Sequence, residues 1–457
     1  MTQITQSKRI WGWYFFDWAS QPYNTLILTF IFGPYFTATL TGNLIAEGMA
    51  DEAARAQAQA TWGWGLAATG IAIALLAPLL GAIADNSGRK LPWIWLFSAM
   101  YFVGSGALWW SAPDDFSVLF TLFFFGIGLI GMEFATIFTN SYLPELDDDP
   151  AELGRISGSG WAFGYVGGLV ALVIMLLLFQ ATASGTTMAG LTPLLGMDTV
   201  TKEDTRIVGP LTAIWFAVFM IPFFLYTRDR ATTGASKLVI GESMRALGKT
   251  LRGLPNHPSL MAYLGSSMFY RDGLNGLYTF GGIYAVGVLG WSVTQVGIFG
   301  IVAIIAGAVF CWISGRVDRW LGPMPVIVFC VIALAFVSLL IVTITPEAIL
   351  FIPIAEGSTM PDVTFFIAGA VIGAAGGALQ ASSRNMMTRQ ANPDRMTEAF
   401  GLYALSGKAT SFLAPALIAL TSQMTGSQRL GVSPVVGLFI IGLVLLFWVK
   451  PKGDFES

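Results

Sequence analysis

Histidine occurs once, cysteine twice, and charged side chains make up only 11% of the chain. Each shortage excludes something. The lone His257 sits in a polar connection, which leaves no histidine pair for metal binding or for a nucleophile and its base. Cys311 and Cys330 both lie inside apolar runs, which argues against a disulfide framework or a cysteine-ligated metal and for packing roles. The formal net charge is −3 and no basic block resembles a nucleic-acid footprint, so the chain gives no reason to expect nucleic acid. The N-terminal MTQITQSKR lacks the charged-then-apolar pattern of a cleaved signal, so the first hydrophobic segment is expected to be a retained span. No cofactor, no metal and no enzymatic activity are expected.

What the chain has instead is apolar side chain. Hydrophobic residues make up 55% and mean hydropathy is +0.68, more than a soluble core can hide. The pattern predicts an all-α polytopic membrane protein. Apolar windows long enough to span fall at 11–38, 61–84, 91–111, 117–143, 155–179 and 207–227. Six more fall at 258–289, 293–315, 323–344, 362–386, 397–422 and 430–449, giving twelve transmembrane helices. The longest polar, basic stretch, 228–257, is read as a cytoplasmic linker between an N-terminal six-helix bundle, 1–227, and a C-terminal one, 258–457.

Basic residues orient the spans, because Lys and Arg stay on the cytoplasmic side. With the N-terminus inside, 18 of the 24 Lys and Arg fall on cytoplasmic segments, among them Lys8, Arg9, Arg230, Lys237 and Lys450. Only Arg55, Lys202, Arg206 and Arg429 fall on outer loops. Both termini are therefore expected in the cytoplasm, and Trp11, Trp64, Trp110 and Trp320 stand near span ends as interfacial anchors.

The two halves echo each other. Asp17 in FFDWAS recurs as Asp272 in FYRDGLNG at an offset of 255, and Asp85 in GAIADNSGRK meets Asp318 in SGRVDRWLGP at 233. Pro150, Gly158 and Gly164 meet Pro393, Gly401 and Gly407 at 243. Parallel repeats related by an axis along the membrane normal are a transporter build with the substrate site near the midplane.

GAIADNSGRK resembles the loop signature of the major facilitator superfamily, through Gly81, Asp85, Gly88, Arg89 and Lys90, with Asn86 where the pattern has Arg. The chain is further similar to the vacuole-effluxer-like branch of that superfamily. This resemblance rests on WYFFDWASQPYNTLILTFIFGPYF, TNSYLPEL, GRISGSGWAFGYVGG, FYRDGLN, GGALQASSRNMM and EAFGLYALSGKATSFLAP. It implies the twelve-helix alternating-access fold, with spans 1, 4, 7 and 10 lining a cavity, and suggests amino-acid efflux as the activity.

Charge inside a span costs about 2.5 to 3.5 kcal/mol, so its position means something. Asp17, Glu133, Arg271, Asp272 and Lys408 lie within spans, with Arg384 near a span end, and spans 3, 6, 9 and 12 carry none internally. Helical spacing places Asp17, Gln21 and Asn24 on one face of span 1, and Glu133, Thr136 and Asn140 on one face of span 4. It places Asp272, Asn275 and Thr279 on one face of span 7. The glycines of RDGLNG are expected to loosen that helix and free backbone groups. With Gln380 these residues form the candidate substrate or proton pathway. Asp17, Glu133 or Asp272 are candidate proton carriers, and Arg271, Arg384 or Lys408 candidate holders of a substrate carboxylate. The competing reading is a set of buried ion pairs.

The loop residues Gly81, Asp85, Gly88, Arg89 and Lys90, with Asp318 and Arg319, read as a cytoplasmic gate in which Asp85 accepts N–H bonds from a neighbouring helix start. Glycines 160, 164 and 168, and 369, 373 and 377, predict close helix packing. GIGLIG at Gly126–Gly131 has no strand before it and SMRALGKT lacks the first glycine of a phosphate loop, so neither implies a nucleotide. The expected function is secondary active transport of a small polar solute, an amino acid with efflux favoured, coupled to protons. The alternatives are a carrier of sugars or peptides and a non-transporting receptor or assembly factor of the same fold. The expected setting is a bacterial-type inner or plasma membrane, with the small-molecule substrate, protons and lipid as partners and the chain a monomer.

Overall fold

The computed structural model of the chain describes residues 4–182, 184–229, 240–291, 293–355 and 357–455, so Arg230 and Lys237 of the linker lie outside the described residues. Among the described residues, eleven helices are long and apolar enough to cross a membrane. The first six are α1 (Gln6–Ala46), α2 (Asp51–Ser87), α3 (Leu91–Trp110), α4 (Val118–Glu145), α5 (Pro150–Phe179) and α6 (Glu203–Tyr226). After a linker helix, Ile240–Gly253, comes α7 (Pro258–Leu289), which is long enough at 32 residues but more polar through RDGLN. Then follow α8 (Gln295–Leu321), α9 (Pro323–Thr343), α10 (Met360–Gln390), α11 (Pro393–Thr425) and α12 (Arg429–Leu446). A two-stranded hairpin, β1 (Ala348–Ile349) with β2 (Ile352–Pro353), joins α9 to α10.

Contacts divide the chain into two units. The first holds the chain up to Ile73, Gly88–Thr139, and the chain from Phe163 through α6. The second holds Ala74–Ser87, Asn140–Ala162, and everything from the linker helix onward. The second unit thus gathers one end each of α2, α4 and α5 with all of α7 to α12.

In the first unit α1 changes winding where its sequence demands it. Pro22 has no N–H to offer Trp18 four residues back, and the indole Nε1 of Trp215 on α6 donates to that freed carbonyl at 3.1 Å. From Tyr23 to Phe30 the backbone is a π-helix, closed by Ile31 N–H on Leu26 O at 3.0 Å. The hydroxyl of Tyr23 donates to Phe125 O at 2.6 Å and ties this segment to α4.

In the second unit it is α11 that breaks. It runs as Met396–Ala409 and then Leu413–Thr425. Pro415 supplies the reason, because in a continuous helix its ring meets the carbonyl of Ser411. The intervening turn closes on itself, with Leu413 N–H on Thr410 O at 2.7 Å and Ser411 Oγ donating to Lys408 O at 3.0 Å. The expected loosening of α7 at RDGLNG does not occur. Pro258–Leu289 is one uninterrupted helix, and Gly273 and Gly276 are where Phe439 and Ala414 pack onto it.

Of the spaced glycines, Gly164, Gly168, Gly369, Gly373 and Gly377 pack closely as expected. A Cβ at Gly164 or Gly168 on α5 would press on Asp17 or Gln21 and Thr25 of α1, and one at Gly373 or Gly377 on α10 would press on Ala303 or Gly307 of α8. Gly373→Ala sets a methyl against the carbonyl oxygen of Ala303 and must part α8 from α10, at about 1 to 3 kcal/mol. Thermal unfolding in detergent should show a clear fall in Tm for Gly373→Ala. Gly70→Ala, with no atom within 4 Å of the added carbon, should show none.

Candidate functional site

At the end of α2 the backbone must stop, and Gly88 does so at φ +63. Three residues earlier Asp85 aims its carboxylate at the start of α11. Oδ1 accepts Thr397 N–H at 3.2 Å and Oδ2 accepts Glu398 N–H at 2.7 Å. These are first-turn amides with no partner inside their own helix, and they sit at its positive end. The approach is close because both helices carry glycine there. A Cβ at Gly81 would lie 2.6 Å from Thr397 O, and one at Gly401 2.5 Å from Ala77 O. Asn86, where the loop signature has Arg, donates from Nδ2 to Ser243 Oγ at 2.9 Å and fastens the linker helix.

The second loop is built differently. Asp318, near the end of α8, is buried and held by Ser382 Oγ at 2.9 Å and Asn385 Nδ2 at 3.2 Å, both on α10. Gly154 on α5 packs on its Cβ. Its neighbour Arg319 pairs instead with Glu152 in the first turn of α5 at 2.7 Å, and Glu152 also takes Arg155 Nε at 2.5 Å. Gly158 and Gly315 meet backbone to backbone beside them. Arg89 is exposed, and the backbone N–H of Lys90 donates to Asp229 Oδ1 at 3.0 Å within the first unit.

Arg384 is 3% exposed and engaged on the same side. It donates from Nε to Ser157 Oγ at 3.0 Å, from Nη2 to Ser157 O at 2.8 Å and from Nη1 to Asn140 Oδ1 at 3.3 Å. Its guanidinium stands 5.5 Å from the Trp161 ring. Arg384 and Asn140, expected along a pathway, are thus joined to each other and to the start of α5.

The polar faces of α1 and α4 persist, in the first unit except for Asn140. Asp17, Gln21 and Asn24 are half-buried between buried neighbours, and Glu133, Thr136 and Asn140 repeat that pattern. On α7 the expected face does not hold. Asp272 is 0% exposed, whereas Asn275 and Thr279 are exposed. The open face runs through half-buried Arg271 to Asn275, Tyr278 and Thr279, one position round from the expected one. Arg271 donates to Tyr403 O at 2.9 Å, stacks 4.3 Å from the Tyr403 ring and lies on Gly407, all on the first piece of α11. Asp272 turns to the second piece, where Oδ2 accepts Ala414 N–H at 2.9 Å. Gln380 and Lys408 are half-buried on α10 and α11. The break in α11 was missed from sequence, although Pro415 marks it.

Residues 65–453 match the family described as vacuole effluxer Atg22 like. The chain belongs to that family. The uncharacterized MFS-type transporter YxiO of Bacillus subtilis is 25% identical over 456 residues, covering 99% of this chain and 96% of that protein. Autophagy-related protein 22 of Cryptococcus neoformans is 25% identical over 300 residues, which are 64% of this chain and 49% of that protein. The chain thus spans about half the length of this fungal relative. Among solved structures, the proton:xylose symporter XylE covers 99% of this chain and 97% of its own with a TM-score of 0.68 at 11% identity. A bacterial homologue of the iron transporter ferroportin, outward-facing, covers 98% of this chain and 99% of its own with a TM-score of 0.67 at 14% identity. At such identities the likeness carries the fold, which is that of the major facilitator superfamily. This member of the Atg22-like family is a multi-pass membrane transporter of the MFS type rather than an enzyme.

The Asp85 cap yields a direct test. Asp85→Ala leaves two first-turn amides of α11 unpaired, a loss of about 1 to 2 kcal/mol. A thiol introduced by Ala399→Cys is buried in the Asp85 background. Its maleimide labelling should speed up about tenfold with Asp85→Ala, and an unchanged rate would show that the cap does not hold this contact.

Proposed function

We propose that the chain carries a small zwitterionic solute, an amino acid, by alternating access, with efflux as the working direction and protons as the coupling ion. The observation that carries this reading is the pair of polar faces on α1 and α4, where Asp17, Gln21 and Asn24, and Glu133 and Thr136, stay half-open between buried neighbours. A scaffold gains nothing from costly carboxylates kept on helix faces in this way. A carrier needs them for a substrate ammonium or for a proton. Arg271, Asn275, Gln380 and Lys408 are the candidates for the substrate carboxylate and its hydrogen bonds, with Arg271 and Lys408 the cations. The family label, vacuole effluxer, supports outward movement.

In this reading the contacts of Asp85 with α11, of Glu152 with Arg319 and of Arg384 with Ser157 and Asn140 are the closed cytoplasmic gate. They are of a kind that can form and break, because each joins a polar side chain to a backbone, hydroxyl, amide or ionic group. The six-helix halves 1–227 and 258–457 move as bodies, 228–257 links them on the cytoplasmic side with both termini, and one chain suffices.

Counterflow in proteoliposomes tests this. Protein loaded with unlabelled amino acids should exchange at least one radiolabelled amino acid faster than empty vesicles, and an imposed pH gradient should alter the initial rate. Asp85→Ala should lower that rate about tenfold, equivalent to about 1.4 kcal/mol of barrier. Movement of sugars or short peptides alone would replace the amino acid, and a protein that moves none of these would be a receptor or assembly factor instead.

A further inference from the structure

Asp272 combines three features that recur among the described carboxylates at Asp204, at the start of α6, but in mid-helix only at Asp272. Its residue is 0% exposed, its Oδ2 accepts Ala414 N–H at 2.9 Å, and its Oδ1 is buried with no hydrogen-bond partner. It sits against the N-terminal turn of the second piece of α11, where Ala414 is buried.

The groups that face it leave its charge unmatched. On its own helix Arg271 is turned to the carbonyl and ring of Tyr403, and the Tyr270 hydroxyl lies 2.8 Å from Ser383 Oγ. On the first piece of α11 the titratable groups are Glu398, which pairs with Arg395 at the far start of that piece, Tyr403 and Lys408, and on the second piece there are none. Pro434–Leu446 of α12, whose Phe439 covers Gly273, carries none, and Arg429 stands at that helix's far start. Arg384 on α10 is committed to Ser157 and Asn140. A buried carboxylate oxygen with no donor is costly while ionised, and a proton on it removes the charge. A metal cation would require a cage of several oxygens. The carbonyls at the break are already used, Lys408 O by Ser411 Oγ and Thr410 O by Leu413 N–H.

We infer that Asp272 Oδ1 binds the coupling proton of the transport cycle, and that its protonation reaches the gate through α11. The inference rests on the transport reading above. The step is an addition of one proton to Oδ1, with no other bond made or broken. As an anion Asp272 holds the second piece of α11 by a charge-assisted bond at its positive end, and as a neutral acid it holds it by an ordinary one, about half as strong. The first piece of α11 is a rigid helix with Asp85 at one end and Arg271 near the other, so a shift at the break moves the capped amides of Thr397 and Glu398. Asp272 is thereby the switch and Asp85 the contact it releases.

Hydrogen–deuterium exchange of the purified full chain tests this, followed by mass spectrometry from about pH 5.5 to about pH 8 with times scaled for intrinsic exchange. Peptides covering 396–401 and 413–418 should exchange several-fold faster at the acid end. Asp272→Asn, which keeps an acceptor for Ala414 N–H and cannot be charged, should exchange at the acid-end rate throughout. A wild-type chain with no pH dependence in either peptide overturns the inference, and this needs no variant that might misfold. So does an Asp272→Asn chain that keeps the wild-type profile. A response confined to 413–418 overturns the link to the gate. Protection that follows sodium, on replacing it by choline at fixed pH, overturns the proton. Counterflow of an amino acid together with flat exchange profiles removes only the assignment to Asp272, whereas absent counterflow removes the transport reading.

Discussion

A carboxylate at the start of a helix is the interaction on which this molecule turns. Helix α11 is held twice in this way, by Asp85 at Thr397 and Glu398 and by Asp272 at Ala414. The first amides of any helix lack partners of their own and sit at its positive end, so an acid placed there meets both a hydrogen-bonding need and a charge need. Such a bond also depends on position. It exists only while the two helices lie in register, which is why glycines at 81 and 401 matter as much as the aspartate they bring into reach.

The internal repeat is sharper in sequence than in chemistry. Asp85 and Asp318 occupy matching places in matching loops, yet Asp85 reaches a helix start more than three hundred residues away while Asp318 is satisfied by Ser382 and Asn385 on α10. The work at the second loop passes to Arg319 and Glu152, an ion pair with a partly exposed guanidinium. A cap of backbone amides and an ion pair respond to different conditions, since salt screens the second far more than the first. The two loops are therefore not held as mirror images.

Sequence reasoning went furthest where it needed only local geometry. The half-open faces of α1 and α4 follow from spacing alone, as do the glycine contacts of α5 and α10, and the N–H acceptor role of Asp85 follows from the chemistry of helix ends. It failed on α7 because spacing fixes which residues share a face but not which face is turned inward. Asn275 and Asp272 are three residues apart, and packing against α11 and α12 chose a face one position round. The break in α11 had a local sign in Pro415 that outweighs the glycines of α7. The bond from Trp215 to the carbonyl freed by Pro22 joins positions 197 apart, which no local pattern encodes.

Adjacent Arg271 and Asp272 raise the question of why opposite charges placed side by side do not neutralise each other. On a helix they diverge by about 100°, and the structure uses that divergence. Arg271 is given to the first piece of α11 and Asp272 to the second. Had they paired, α7 would carry a buried dipole indifferent to its neighbour, since a closed ion pair holds its energy within itself. Split across the break, each is satisfied by backbone of α11, the cation by the carbonyl of Tyr403 and the anion by the amide of Ala414. Any change in the angle between the two pieces then unbalances at least one charge, so the geometry of α11 and the electrostatics of α7 cannot vary independently. In a continuous α11 the amide of Ala414 would be bonded to the carbonyl of Thr410 and closed to Asp272, which makes the proline that breaks the helix part of the electrostatic design.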